Sequence, residues 1–139
     1  MKKTVFFLGA VALTTLSAPA AGHHSLAMYD TATQISIEGV VEQFEWRNPH
    51  SWLHVRVTDE DGNERLWTLE SNSTGQLIQI GWSPDVAKPG DQVTVILNPL
   101  RDGTRGGRLE EIQHPDGRVF TRIGIGGYDV RTGELYVQP

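Results

Sequence analysis

The sequence predicts an all-β fold with one short helix, in the form of a small OB-like (oligonucleotide/oligosaccharide-binding) β-barrel of five to six strands. Two observations lead to this prediction: the order of the elements along the chain, and a change of side-chain parity inside the first strand. Three successive strands, a short helix and two further strands are the order of an OB barrel. A long, bent first strand is suited to closing a barrel of this size.

The first strand is predicted to contain a β-bulge. Its apolar residues alternate on odd positions up to Gly39 and on even positions from Val40 to Trp46. One inserted residue produces such a change of parity, and a glycine is well placed beside it.

The second and third strands are predicted to form a hairpin. Residues 51–58 alternate an apolar face with a polar and aromatic one, as expected for a strand with one face in the core. Residues 59–63 contain the Asp-Gly pair of a tight turn, and residues 65–70 follow as the third strand.

A short helix is predicted next, because Asn72 or Ser73 can cap it and Gly81 can end it in a left-handed conformation. The residues expected to pack inward from it are Leu77, Ile78 and Ile80. Strands four, five and six are then expected at residues 92–98, 108–113 and 118–123.

The amino terminus has the layout of a secretory signal peptide. Lys2 and Lys3 form a short positive region, residues 5–16 an apolar run, and residues 17–22 a stretch rich in small residues. The run is shorter than the roughly 20 residues of a membrane span. The predicted organisation is therefore a signal peptide at 1–22, the barrel at 23–123 and a loosely docked, glycine-rich tail at 124–139. We expect a periplasmic or secreted protein with no membrane span after signal removal.

Charge and cysteine content exclude several classes of function. Loss of the two signal lysines would take the formal net charge from −5 to −7, and so acidic a chain is a poor ligand for phosphate backbones. We therefore expect no nucleic-acid partner. The chain has no cysteine, which excludes thiolate chemistry and disulfides.

His23 and His24 are candidate copper ligands. Cleavage after Gly22 would make His23 the terminal residue, and its amine and ring nitrogen could chelate Cu(II) together. This would be similar to the histidine brace of copper monooxygenases and of some periplasmic copper carriers. Cleavage after Ala20 or Ala21 would place His23 or His24 third, which is similar to the amino-terminal copper and nickel motif. Nitrogen donors in tetragonal geometry suit both ions; the alternative is a disordered polar terminus.

His50, in the turn between strands one and two, is the predicted third ligand. The alternative is a ring that hydrogen-bonds the turn backbone. His54 would lie about 13 Å from His50 along an extended strand, at about 3.3 Å per residue, so the two are not expected to share an ion. His114 precedes a Pro-Asp-Gly turn and is expected to be solvated.

A second candidate site is an aromatic and basic surface on the loops at 46–51 and 98–107, which flank the ligand face of an OB barrel. We call it the loop face; its predicted residues are Trp46, Arg47, Asn48, Trp52, Arg101 and Arg105. Indoles near guanidinium groups suit a sugar, an anionic small molecule or a peptide. In the alternative, Trp46 packs into the barrel end and the arginines pair with Asp102, Glu110 or Glu111. Trp67 and Trp82 are expected in the core.

No complete catalytic motif is present: the nucleophile elbow, the His-Glu-x-x-His zinc motif, the phosphate loop and the dinucleotide fingerprint are all missing. We therefore do not expect an enzyme, and a copper oxidase is the one catalytic hypothesis retained.

Several short runs resemble a family of small exported bacterial proteins catalogued as domain of unknown function 6152. The runs are residues 23–25, 39–46, 48–52, 81–82, 88–91 and 98–103. The Asn-Pro-His-Ser-Trp run at 48–52 is the most specific of them. The resemblance implies export and a single β-rich domain, and it assigns no catalytic residue.

The sequence thus favours an exported small binding protein that holds copper through His23, His24 and His50. The alternative is a metal-independent interaction module whose loop face grips a periplasmic protein, a glycan or another small ligand.

Overall fold

The computed structural model describes residues 26–122 and three short strands beyond them, at 124–125, 127–129 and 134–136. His23, His24 and the predicted signal peptide lie outside the described residues. Within the described part, no helix is long and apolar enough to cross a bilayer.

Five strands close into a mixed barrel, in the order β3-β2-β1-β4-β5 with β5 returning to pair with β3. The β3–β5 pairing is parallel, and the other four are antiparallel. The elements are β1 (Ile35–Glu45), β2 (Trp52–Thr58), β3 (Glu64–Glu70), α1 (Thr74–Gln79), β4 (Gln92–Pro99) and β5 (Gly106–Gln113). Two 3-10 turns lie at Leu26–Met28 and Pro84–Val86. This order and closure are those of an OB barrel, so the predicted fold is confirmed.

Short strands extend the sheet after the barrel. β6 (Val119–Thr121) pairs with β5, and β7 (Gly124–Ile125) pairs with β6. β8 (Gly127–Asp129) and β9 (Glu134–Tyr136) pair with each other. The segment predicted as a glycine-rich tail therefore contributes the last three strands.

β1 bends because it pairs with β4 along its first half and with β2 along its second half. The register with β2 shifts between Val41 and Gln43, so Glu42 is the inserted residue. The predicted bulge is confirmed, a few residues beyond Gly39. A Cβ at Gly39 would lie 2.4 Å from the Arg56 carbonyl oxygen, and the glycine therefore permits the close crossing of β1 over β2.

The seam between β3 and β5 is short. It consists of three residue pairs, between residues 68–70 and 106–108. A Cβ on Gly107 would lie 2.3 Å from the Leu97 side chain and 2.5 Å from the Asn98 carbonyl oxygen. Those atoms belong to β4; at the seam itself a Cβ on Gly106 would lie 3.1 Å from the Thr68 carbonyl oxygen of β3, so glycine favours the close approach of β5 to both neighbours.

The core fills the barrel from all five strands, and its completely buried aliphatic side chains are Leu53, Val55, Leu69, Leu77, Val95, Leu97, Leu109 and Ile112. Burying one such side chain contributes about 1.5–3 kcal/mol. Trp82 is 3% exposed and donates from its indole to the Thr121 carbonyl oxygen at 3.1 Å. Trp67 packs against the same core. Both tryptophans lie where the sequence predicted them.

Ser73 caps α1 through a reciprocal capping box, and Gly81 follows the helix with a φ of 86°. Leu77 and Ile80 pack against the core as predicted. The prediction for Ile78 was wrong, because its side chain is 62% exposed. Successive residues of a helix point about 100° apart, so one turn that buries Leu77 turns its neighbour toward solvent.

Candidate functional site

The chain segment before β1, residues 26–34, docks against the β4–β5 loop, and we call it the arm. Tyr29 forms an isolated antiparallel bridge with Leu100. The amide of Arg101 donates to the Met28 carbonyl oxygen at 3.0 Å. These backbone contacts fix the arm on the barrel and direct the Tyr29 side chain toward the end of β3.

Glu70, the last residue of β3, contacts both the arm and the β1–β2 loop. The Tyr29 hydroxyl donates to Glu70 Oε2, and Nδ1 of His50 lies 2.9 Å from Glu70 Oε1. Tyr29 and Glu70 are 4% and 5% exposed, whereas the His50 side chain is 38% exposed. One buried carboxylate therefore joins the arm to the predicted metal ligand.

The neighbours of His50 determine which ring nitrogen carries the proton. Nδ1 faces two acceptors, Glu70 Oε1 at 2.9 Å and the Ser71 carbonyl oxygen at 3.3 Å. Nδ1 must therefore be the protonated nitrogen, and in the neutral ring the lone pair is on Nε2. A carboxylate on the second nitrogen is the usual support of a metal-binding histidine.

Tyr29 stays a neutral donor in this environment. Burial, and after it the hydrogen bond and the charge of Glu70, raise the pKa of the Tyr29 phenol well above its usual range.

A cavity of about 90 Å³ adjoins these side chains. Its wall combines the arm, the β1–β2 loop and the β3–β5 seam, through Leu26, Tyr29, His50, Glu70, Ser71, Asn72 and Arg108. The arm thus closes one side of a small polar cavity on the barrel surface.

A family of unknown function, DUF6152, matches residues 11–110, well over half of the chain. This chain belongs to the DUF6152 family. The match includes the arm, both barrel loops and the whole lining of the cavity. No curated protein and no solved structure showed significant similarity to the chain. The resemblance noted from the sequence is therefore confirmed.

Two of the six predicted loop-face residues are part of the packing of the DUF6152 domain. Trp46 packs against the core, with its ring centroid 5.7 Å from that of Phe44. Asn48 accepts hydrogen bonds at its side-chain oxygen from the amide and hydroxyl of Thr74, at 3.1 and 3.0 Å. It thereby ties the β1–β2 loop to the first residue of α1.

The loop-face arginines remain at the surface. Arg47 pairs with Glu45 at 2.9 Å and is 60% exposed. Arg101 lies 3.7 Å from Asp30 of the arm and is 57% exposed, so its partner is not one of the carboxylates considered from the sequence. Arg105 is exposed in the β4–β5 loop.

Trp52 is half-buried on the outer surface of β2. It lies in register with Glu45 of β1 on one side and with Glu70 of β3 on the other. The structure thus brings Trp52 and Arg47 to a common acidic neighbour, while Arg101 and Arg105 belong to the other loop.

The remaining two described histidines serve the fold. His54 donates from Nε2 to Glu45 at 2.8 Å and has Nδ1 3.2 Å from the Thr68 hydroxyl. His114 was expected to be solvated, and this was wrong: it is 8% exposed. Its ring turns inward, donates to the Val86 carbonyl oxygen at 2.8 Å and packs edge-on against Phe120.

His50 is a predicted site residue, whereas Tyr29, Glu70, Ser71 and Arg108 were not predicted from the sequence. Among residues 26–122, no group of three or more histidines and carboxylates is arranged to hold a metal ion. One available signal was the register of the β2–β3 hairpin. Counting pairs outward from its Asp-Gly turn places Glu70 opposite Trp52, on the surface that carries the predicted site.

Proposed function

We propose that this DUF6152 protein is an exported copper-binding protein that holds Cu(II) with His50 and the amino-terminal histidines His23 and His24. The observation that supports this most directly is the contact of the arm with Glu70. The arm continues from the two histidines, and it docks on the carboxylate that orients His50.

Chain connectivity supports the same grouping. His24 precedes Leu26 by two residues, and Leu26 lines the same cavity as His50. Two residues span at most about 7 Å, even fully extended. The proposal therefore relies on a separation of only two residues between His24 and the cavity wall.

The chemistry of the three histidines suits Cu(II). The lone pair of His50 is on Nε2, imidazole nitrogens favour copper, and a terminal amine adds a further nitrogen. An α-amine has an ordinary pKa of about 7.7–8.0, so a metal can displace its proton at modest cost. A site of this kind depends on where the signal peptide is cleaved.

The test is a Cu(II) titration of protein purified from its exported form, with the terminus identified by mass spectrometry. We expect stoichiometric, submicromolar binding and a nitrogen-rich tetragonal electron paramagnetic resonance spectrum. One added residue before the native terminus should weaken binding. His50→Gln should weaken it at least tenfold, whereas the matched control His54→Gln should not, because both ring nitrogens of His54 contact Glu45 and Thr68.

Each measurement tests a different proposed ligand of the copper ion. Equal affinity with the added residue would remove the terminal amine from the ligand set, and equal affinity in His50→Gln would remove His50. Weak, nonstoichiometric binding by the native protein would reject the proposal as a whole.

The second candidate function is a metal-independent interaction module that grips a periplasmic protein or a glycan with the loop face. The exposure of Arg47 and Arg101, at 60% and 57%, favours it. Trp52→Ala and Arg101→Ala should abolish capture of such a partner while the fold stays intact. Capture that survives both substitutions would count against this function.

A further inference from the structure

We propose that the cavity beside His50 binds a small oxyanion, with a carboxylate as the best-fitting class, through Arg108 and Ser71. This site does not depend on copper. Its lining residues come from the arm, the β1–β2 loop, β3, β5 and the segment after β3, and all of them are described.

The first argument is the charge of Arg108. Its side chain is only 21% exposed, so its charge is largely removed from water and requires a counterion. Within the described part of the chain its one ion pair is with Glu110, at 3.7 Å through Nε. Glu110 pairs more closely with Arg122, at 2.9 Å. A guanidinium has five N–H donors, and within the described residues the contact with Glu110 engages only Nε of Arg108.

Glu70 does not neutralise Arg108. The two residues are register partners across the β3–β5 seam, but no ion pair joins them among the described contacts within 4.0 Å. Both Glu70 oxygens are already engaged, Oε2 by the Tyr29 hydroxyl and Oε1 by the His50 ring. Among the described residues, the one carboxylate that pairs with Arg108 is therefore that of Glu110, at 3.7 Å and shared with Arg122.

The second argument is the Ser71 hydroxyl. Ser71 is 5% exposed, it lines the same cavity, and its Oγ has no hydrogen-bond partner in the described structure. A buried hydroxyl without a partner costs about 1–3 kcal/mol. An oxyanion that accepts from Arg108 and from Ser71 would satisfy both groups at once.

The size of the cavity limits the ligand. One water molecule needs on the order of 10–15 Å³ of such space, and the cavity has about 90 Å³. A few non-hydrogen atoms therefore fit, as in formate, acetate or bicarbonate. Leu26, 57% exposed on the wall, offers an apolar surface to the methyl group of a carboxylate such as acetate.

The test is a titration of metal-free protein with sodium formate and sodium acetate at constant ionic strength set with chloride, followed by amide NMR. We expect saturable shifts at Ser71, Asn72 and neighbouring amides. Arg108→Gln should weaken binding at least tenfold and Ser71→Ala about threefold to tenfold, in line with the loss of charged and neutral hydrogen bonds. Arg118→Gln is the matched control, because Arg118 pairs with Asp116 in a separate turn.

A phosphate titration distinguishes two sources of the same chemistry. Saturation by carboxylates but not by phosphate would assign the site to carboxylates, and saturation by phosphate would assign it to inorganic oxyanions. The proposal fails if no anion gives saturable shifts, or if a folded Ser71→Ala and the Arg118→Gln control behave alike. If Arg108→Gln does not fold, Ser71→Ala still tests the proposal, because this substitution removes only one oxygen atom. Since copper is absent throughout, failure here leaves the copper proposal untouched.

Discussion

The barrel carries two histidine–glutamate pairs, His50–Glu70 and His54–Glu45, and they are arranged in opposite ways. His50 faces its glutamate with Nδ1, whereas His54 faces its glutamate with Nε2. The Glu70 side chain is 7% exposed and also accepts from Tyr29, while Glu45 is 25% exposed and also pairs with Arg47.

The difference teaches that a histidine–glutamate pair is not by itself a sign of function. In the His54 pair, Thr68 contacts the second ring nitrogen, so both nitrogens of this imidazole contact side chains of neighbouring strands. In the His50 pair, both contacts of Nδ1 are acceptors, and the lone pair is directed to Nε2 on a ring at the cavity wall. The carboxylate contacts Nδ1 in the His50 pair, the arrangement on which the copper proposal rests, and Nε2 in the His54 pair.

Exchanging each glutamate for its amide should separate the two pairs most clearly. Glu70→Gln should lower the Cu(II) affinity about tenfold to a hundredfold, because the carboxylate that orients His50 is lost. Glu45→Gln should leave the affinity unchanged. Isothermal titration of both variants with native termini measures this, and equal losses in both would mean that the orientation of His50 does not matter.

Removing the second partner of Glu70, Tyr29, should reduce stability. Tyr29→Phe deletes a buried hydrogen bond to a carboxylate and should lower the free energy of unfolding by about 1.5–3 kcal/mol. Urea denaturation at neutral pH measures the change. A loss below about 0.5 kcal/mol, the usual size for surface substitutions, would contradict a tight contact between the arm and β3.

Alkaline pH should weaken the same contact. Because burial raises the pKa of Tyr29 in the folded protein, the neutral phenol is favoured in the native state. The unfolded chain releases this proton near pH 10. The stabilisation is therefore fully present below about pH 10 and is lost as pH rises toward the folded-state pKa. Thermal denaturation between pH 8 and 11 should show a steeper decline for the native sequence than for Tyr29→Phe, and parallel declines would contradict it.

The second partner of Glu45, Arg47, should matter least. Arg47→Ala breaks an ion pair whose arginine is 60% exposed, and such pairs contribute about 0–1 kcal/mol. We expect a change in unfolding free energy below about 1 kcal/mol and no change in copper affinity. A larger loss of stability would show that the contacts of Glu45 are as important to the fold as those of Glu70.

The fold could be predicted because its signals are local. Strand alternation, the Asp-Gly turn, the Ser73 cap and Gly81 each act over a few residues, and the order of elements then selects the barrel. The errors occurred where a tertiary contact decides. The position of the bulge at Glu42 depends on how β1 crosses β2, and the burial of His114 depends on Val86, which is distant in sequence.

The candidate site was only half predictable for the same reason. His50 is conspicuous in an aromatic turn, but its partner Glu70 lies 20 residues further along the chain. Tyr29 meets Glu70 across 41 residues, and no periodicity in the arm indicates this contact. The need of Arg108 for a counterion is a property of the closed barrel, and it cannot be read from the chain before β3 and β5 are paired.

The short β3–β5 seam has a consequence for the dynamics of the barrel. It contains three residue pairs, against seven between β2 and β3, so local opening should begin there. Glu70 and Arg108 form its last pair. A ligand held between Arg108 and Ser71 would act as a noncovalent cross-link across the seam. Amide hydrogens of residues 68–70 should then exchange with solvent more slowly in the liganded protein, which makes ligand occupancy a means of keeping the barrel closed.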